Sequence, residues 1–215
     1  MNNKGVYCIA KFGEYNHLEK MLLNGVLHMK RLRAFQNIEH KEIGDKNDGL
    51  SHIYQPNKIA LEINGEKITG LAGPIKLAED ISFNPHIFCT YAITEKHLLL
   101  ESGNYIDEKC FDFGDSVLII TDYTKFRERI SKKLKQIGGY ITSDLVEYVP
   151  YDSYHGEMGP FRKFDYHIHQ SEYRFVYNSN QKDDTFDFEI GNIEDIATIF
   201  PSIESNKLIK FREKV

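Results

Sequence analysis

Residues 162–177 read RKFDYHIHQSEYRFVY, and the second half of that run has the period of a β-strand. Ser171, Tyr173, Phe175 and Tyr177 alternate with Glu172, Arg174 and Val176, so an extended chain turns an aromatic row to one face and a charged row to the other. The aromatic row is expected to be core. Carried back two positions, the same period places Gln170 on the face of Glu172 and Arg174, toward a cleft or solvent. A carboxylate flanked by an amide and a guanidinium can grip a ribose or a phosphate ester through directed hydrogen bonds. The plainer alternative is a solvated Glu–Arg pair on an edge strand.

A strand with one apolar face needs partners, and the rest of the chain supplies them. Val6–Phe12, Val26–Arg31, His86–Ile93, Ser116–Thr121 and Ile141–Val149 are β-branched and aromatic runs and read as strands, with Phe186–Ile190 as the expected neighbour of Ser171–Tyr177. Lys58–Leu71 reads as a hairpin around Asn64-Gly65, the strongest short-range turn signal. Helical spacing appears twice: Leu18, Met21 and Leu22 after a capping-box-like Asn16 and Glu19, ended by Asn24-Gly25, and Phe126, Ile130, Leu134 and Ile137 after Asp122, ended by Gly138-Gly139. A further short helix is expected over Thr94–Glu101 and another from Asn192. Ala197–Phe200 and Leu208–Phe211 close the chain. Many strands joined by turns, with two or three helices, predict an α+β fold with a largely antiparallel sheet, formed as a single globular domain over 1–215.

The chain has 215 residues, 41% hydrophobic and 27% charged, with 14 Phe, 13 Tyr and only 6 Pro, which excludes disordered and collagen-like classes. Its formal net charge of −5 argues against general nucleic-acid binding. Arg127, Arg129, Lys132, Lys133 and Lys135 accordingly read as the solvated face of the longer helix. Cys8, Cys89 and Cys110 are an odd number beside apolar neighbours and read as buried free thiols, suited to a reducing compartment. The opening MNNKGVYCIAKFGEY has no apolar stretch of signal-peptide length, and no window approaches the roughly 20 apolar residues of a membrane helix. A cytoplasmic protein that meets no membrane is expected. The segment Glu39–Leu50, EHKEIGDKNDGL, reads as an exposed acidic loop; it fails as a calcium loop because Gly49 comes fifth after Asp45 and Pro56 stands where the bidentate Glu belongs.

His167 and His169 form a His-x-His pair, with Asp165 before them and His155 on the preceding loop. Zinc or iron would need three or four converging ligands, and only the spacing is visible, so a metal-dependent hydrolase or nuclease is a minor alternative. No Gly-rich phosphate loop, G-x-S-x-G or H-E-x-x-H occurs.

The HLEKMLLNGVLHM segment, the acidic GDKNDG loop, the IFCTYAI strand and the late FRKFDYHIHQSEYRFV segment together resemble a broad bacterial family associated with abortive-infection, phage-defence loci. The matching late residues are Lys163, Phe164, Gln170, Glu172, Tyr173 and Arg174. A second resemblance is to ADP-ribosyltransferase folds, whose Gln/Glu-x-Glu motif at the start of a late strand is similar to Gln170-Ser171-Glu172. That resemblance implies NAD as cofactor, Glu172 as the catalytic carboxylate on the nicotinamide ribose, and Gln170 as the catalytic residue orienting the acceptor. Cofactor contacts would fall to Lys11 or Arg31 in place of the clamp that the first strand lacks, to Tyr7 and Thr90, and to Lys163 and Arg174 beside the motif. The alternative is a non-catalytic defence or toxin-antitoxin component binding a protein partner or a small-molecule or nucleotide ligand.

Overall fold

The computed structural model describes residues 5–39, 43–78, 84–100, 103–178 and 183–211. Its main sheet has eight strands, numbered here in chain order: β1 (Val6–Gly13), β2 (Val26–Arg31), β3 (His86–Thr94), β4 (Ser116–Ile120), β5 (Tyr140–Leu145), β6 (Glu172–Asn178), β7 (Thr185–Glu189) and β8 (Ala197–Pro201). All pairings in it are antiparallel. Among the described residues two α-helices exceed a single turn, α1 (Tyr15–Asn24) and α2 (Tyr123–Ile137). The α+β expectation therefore holds.

The aromatic row of β6 is core, as the alternation gives, and its other row of Glu172, Arg174 and Val176 is buried as well. Tyr173, Phe175 and Tyr177 join Ile9, Phe88 and Leu118 in the larger core, closed by Leu18 and Met21 of α1 and by Phe126, Ile130 and Leu134 of α2. A second core on the other face joins Cys8, Ala10 and Phe12 to Tyr91, Val117 and Ile119. Asp122 caps α2, its Oδ1 accepting the Lys125 N–H at 2.9 Å, and Gly138 ends it in the left-handed region. Gly25 ends α1 in the same way, at φ +66°. The hairpin at Asn64-Gly65 forms as expected, with both residues at positive φ.

Several local expectations are overturned. Arg162–Gln170 is not extended throughout: Arg162–Phe164 is a short strand, Asp165–Gln170 winds into a 3-10 helix, and Ser171 sits at φ +39° before β6 begins. The Asp165–Gln170 turn lets the chain reverse between two sheets, which an unbroken strand could not do. Strand β7 pairs with β2 instead of β6, because both edges of β6 are taken by β3 and β5. Helix α1 starts at Tyr15 with Glu14 at its cap, so Asn16 is not the cap. Ile141–Val149 divides into β5 and Glu147–Val149, which pairs with Arg162–Phe164 in a separate sheet. At Asn192 there is a turn, its Oδ1 accepting the Glu194 N–H at 2.9 Å, and no helix.

One irregularity of the main sheet positions the site. Along one edge of β3, β2 pairs only at His86 and Ile87, and β1 pairs only from Tyr91 onward. Between those points β1 and β2 fork apart. The Ala92 N–H donates to Ser171 O on the β6 side, so alternation turns the Cys89 N–H and C=O toward the fork.

Candidate functional site

At the bottom of the fork lies a chamber of about 150 Å³, bordered by Lys11, Phe12, Phe35, Asp48, Cys89, Thr90, Tyr91, Phe113, Lys163, Gln170, Glu172 and Arg174. It shares Lys11, Phe12, Phe35, Ile43 and Cys89 with a wider cleft of about 570 Å³ between β1 and β2. Six of the eight residues singled out from sequence meet here: Lys11, Thr90, Lys163, Gln170, Glu172 and Arg174. The other two do not. Tyr7 is exposed at the far end of β1, its ring edge against Phe211, and Arg31 donates to the carbonyls of Asn84 and Asp183.

A chain of buried charges floors the chamber. The Lys163 ammonium donates to Gln170 Oε1 at 2.6 Å and to Glu172 Oε1 at 2.9 Å, with Asp45 Oδ2 3.7 Å away. The Arg174 Nε donates to Glu172 Oε2 at 2.6 Å, while its two terminal nitrogens bind both oxygens of Asp48 at 2.9 and 2.8 Å. The bidentate fork leaves one further donation, to Pro160 O at 2.8 Å. Three cations, Lys11, Lys163 and Arg174, thus face three anions, Asp45, Asp48 and Glu172. Burial alone would raise the Glu172 carboxyl, but the Arg174 guanidinium and the Lys163 ammonium outweigh it and hold the group far below the usual carboxylate range. Asp45 is likewise lowered against its burial by His167, Lys163 and the Asn47 N–H.

Sequence reasoning missed Asp45 and Asp48. Their loop reads as exposed because it is charged and aperiodic, yet both side chains are buried, since their partners lie more than 100 residues away. The signal that could have found them is the excess of cations: the late segment brings Lys163 and Arg174 but only Glu172 on the charged row of the strand. Tyr148, also missed, accepts the Glu172 N–H at 2.9 Å on its hydroxyl.

Lys11 is the hinge between chamber and cleft. The Lys11 ammonium donates to Cys89 O at 2.9 Å and lies 4.8 Å from the Phe88 ring centroid, filling the acceptor that the fork leaves unpaired. Burial pushes its pKa down. The Cys89 thiol is raised by burial to about 12, so it is no nucleophile at neutral pH. Thr90 turns its hydroxyl to Tyr173 O at 3.0 Å and offers the chamber no free donor.

The His and Asp of the metal alternative do not gather. His155 Nδ1 accepts the Gln55 N–H in the small sheet of His52–Tyr54, Asp165 is exposed, and His167 faces Asp45. Among the described residues no group of three or more His, Cys, Asp or Glu is placed to hold a metal ion. Among the described residues no helix is long and apolar enough to cross a membrane. No protein-family model, curated protein or solved structure matches the chain.

Proposed function

We propose that the fork is a nucleotide-binding cleft that takes NAD, with Glu172 directed at a ribose hydroxyl and the nicotinamide–ribose bond as the bond cleaved. The observation that carries this reading is the convergence of Lys11, Lys163, Gln170, Glu172 and Arg174 on one chamber that opens into a wider aromatic-walled cleft. A space near 150 Å³ is about what a single six-membered ring fills, and the wider cleft falls in the range of roughly 300–1,000 Å³ usual for ligand sites. Phe12, Phe35 and Phe113 supply flat apolar walls for a ring. An ionised carboxylate has about four acceptor positions, and Lys163 and Arg174 occupy two of those on Glu172, so a ribose hydroxyl still finds an acceptor. When the bond breaks, nicotinamide leaves neutral with the bonding pair, and the oxygen of an acceptor hydroxyl or of water forms the new bond to the sugar and gives up its proton to solvent. A carboxylate whose ionised form Arg174 and Lys163 favour stabilises the positive charge that develops there. The likeness of the late motif to abortive-infection proteins supports a place for this chemistry in phage defence, in the cytoplasm.

One observation favours a second reading. Both Glu172 oxygens already face cations, which offset its charge, and this suits a cleft that binds a nucleotide without cleaving it. The test is calorimetric titration with NAD together with detection of nicotinamide, on the native chain and on Lys11→Met. Saturable heat with nicotinamide release supports the cleaving reading; heat without release leaves the binding reading; no heat removes NAD from both.

A further inference from the structure

A second cavity lies outside this cleft. It is a groove of about 830 Å³ behind the Asp48–Arg174 pair, floored by Leu32, Leu50, Val146, Met158, Pro160 and Phe161. Three exposed carboxylates, Asp144, Glu147 and Glu157, stand on its rim against one guanidinium, Arg162, which is already bound to Glu147 Oε2 at 2.7 Å. Strand β5 runs into this groove and is an edge. Among the described residues it pairs with β6 alone, and the Val146 N–H donates to Glu172 O just beyond it. By antiparallel alternation Thr142 and Asp144 turn their backbone groups to β6, and Ile141, Ser143 and Leu145 turn theirs outward. The outward N–H of Leu145 is taken by Asp144 Oδ1 at 2.8 Å. Among the described residues no backbone or strand partner covers the outward groups of Ile141 and Ser143.

We propose that this edge and groove form a docking site for an extended, lysine- or arginine-rich segment of a protein partner, added to the sheet beside β5. The open N–H and C=O groups of Ile141 and Ser143 would form the ladder, and the capped Leu145 N–H fixes where it stops. Side chains of the added strand that face the groove lie over an apolar floor with carboxylates at its rim. Long cationic side chains meet both, their stems on Leu50, Met158 and Phe161 and their heads at Asp144, Glu147 and Glu157. The opposite face of β5 is covered by α2, so the acidic side is the side open to the partner. This proposal does not rest on the NAD reading, since the groove shares no lining residue with the chamber or the cleft.

The test uses two synthetic decapeptides, one alternating Lys with Val and one alternating Glu with Val, against the full chain and a Glu147→Lys/Glu157→Lys variant. Binding is read by fluorescence anisotropy and by amide hydrogen exchange resolved to single residues. The expected result is saturable binding of the Lys peptide, slowed exchange at Ile141 and Ser143, and an affinity about tenfold weaker for the double variant, as charge complementarity requires. Equal binding of both peptides, or no slowing at those two amides, overturns the proposal. Slowed exchange there that grows with protein concentration and needs no peptide also overturns it, since a second copy then occupies the edge.

Discussion

Glu172 is 8% exposed and carries two ion pairs, and both facts bear on how its substitution must be read. Glu172→Gln keeps the volume but leaves Lys163 and Arg174 each short of a counter-charge in a buried site. It should therefore destabilise the fold by about 3 kcal/mol or more by chemical denaturation, and loss of NAD turnover counts as catalytic only when measured where the variant is still folded. Arg174→Met, which strands Asp48 and leaves Glu172 to Lys163 alone, should cost more. An unchanged denaturation midpoint in both would show that the network is not a stabilising unit. The pH dependence has a defined sign. The folded pKa values of Glu172 and Asp45 are depressed, so the stability they contribute is complete above the ordinary carboxylate pKa and is lost as pH falls toward the folded values. Denaturation midpoints should thus be level above about pH 5 and fall steadily below it, and Arg174→Met should flatten that fall. A native profile with no acid limb would contradict the pairing.

At the scale of elements, what the sequence shows is what local periodicity controls. The β6 face of Tyr173, Phe175 and Tyr177, the α2 stripe of Phe126, Ile130 and Leu134, and the Asn64-Gly65 hairpin are each set within a few residues of chain, and each is found where the pattern puts it. What failed depends on distant partners. Asp45 and Asp48 read as solvated until Lys163 and Arg174 arrive from the other end of the chain, and Phe186–Ile190 reads as the neighbour of Ser171–Tyr177 because nothing local reveals that β3 and β5 already hold both β6 edges. The Gln170–Glu172 convergence survived a wrong premise. The residues meet across the Ser171 turn, with Lys163 bridging them, and not along one strand. Two glycines separate turn conformation from packing. A Cβ on Gly25, at φ +66°, would stand 2.2 Å from Gly191 O, whereas one on Gly65, at φ +83°, would meet nothing within 4 Å. Gly65→Ala should cost about 1 kcal/mol, the left-handed strain alone, and Gly25→Ala clearly more, read by thermal unfolding. Equal losses would mean that the α1–β7 approach is looser than the structure gives.

Across the whole molecule the fork links the two halves of the sheet. The β1–β4–β8 half and the β2–β7 half both pair with β3, and they are joined by α1, whose ends run directly into β1 and β2, and by residues 190–196 between β7 and β8. A ligand seated between them replaces water on both walls and ties residues 6–13 to residues 26–31, so its binding free energy adds to global stability. At a free concentration one hundred times Kd that addition is about 2.7 kcal/mol, which for a chain of this size raises Tm by about 5–10 °C. Lys11 decides whether the effect reports the fork. Its ammonium stands at the passage between chamber and cleft, and Lys11→Met keeps the stem while removing a buried charge, so the variant should fold but lose affinity for a pyrophosphate-bearing ligand. NAD should therefore raise Tm in the native chain and leave Lys11→Met unmoved, with nicotinamide alone giving a smaller rise in both. An equal NAD shift in the two proteins would take Lys11 out of the site, and a shift with adenosine diphosphate but none with nicotinamide would move the nicotinamide ring out of the chamber beside Glu172.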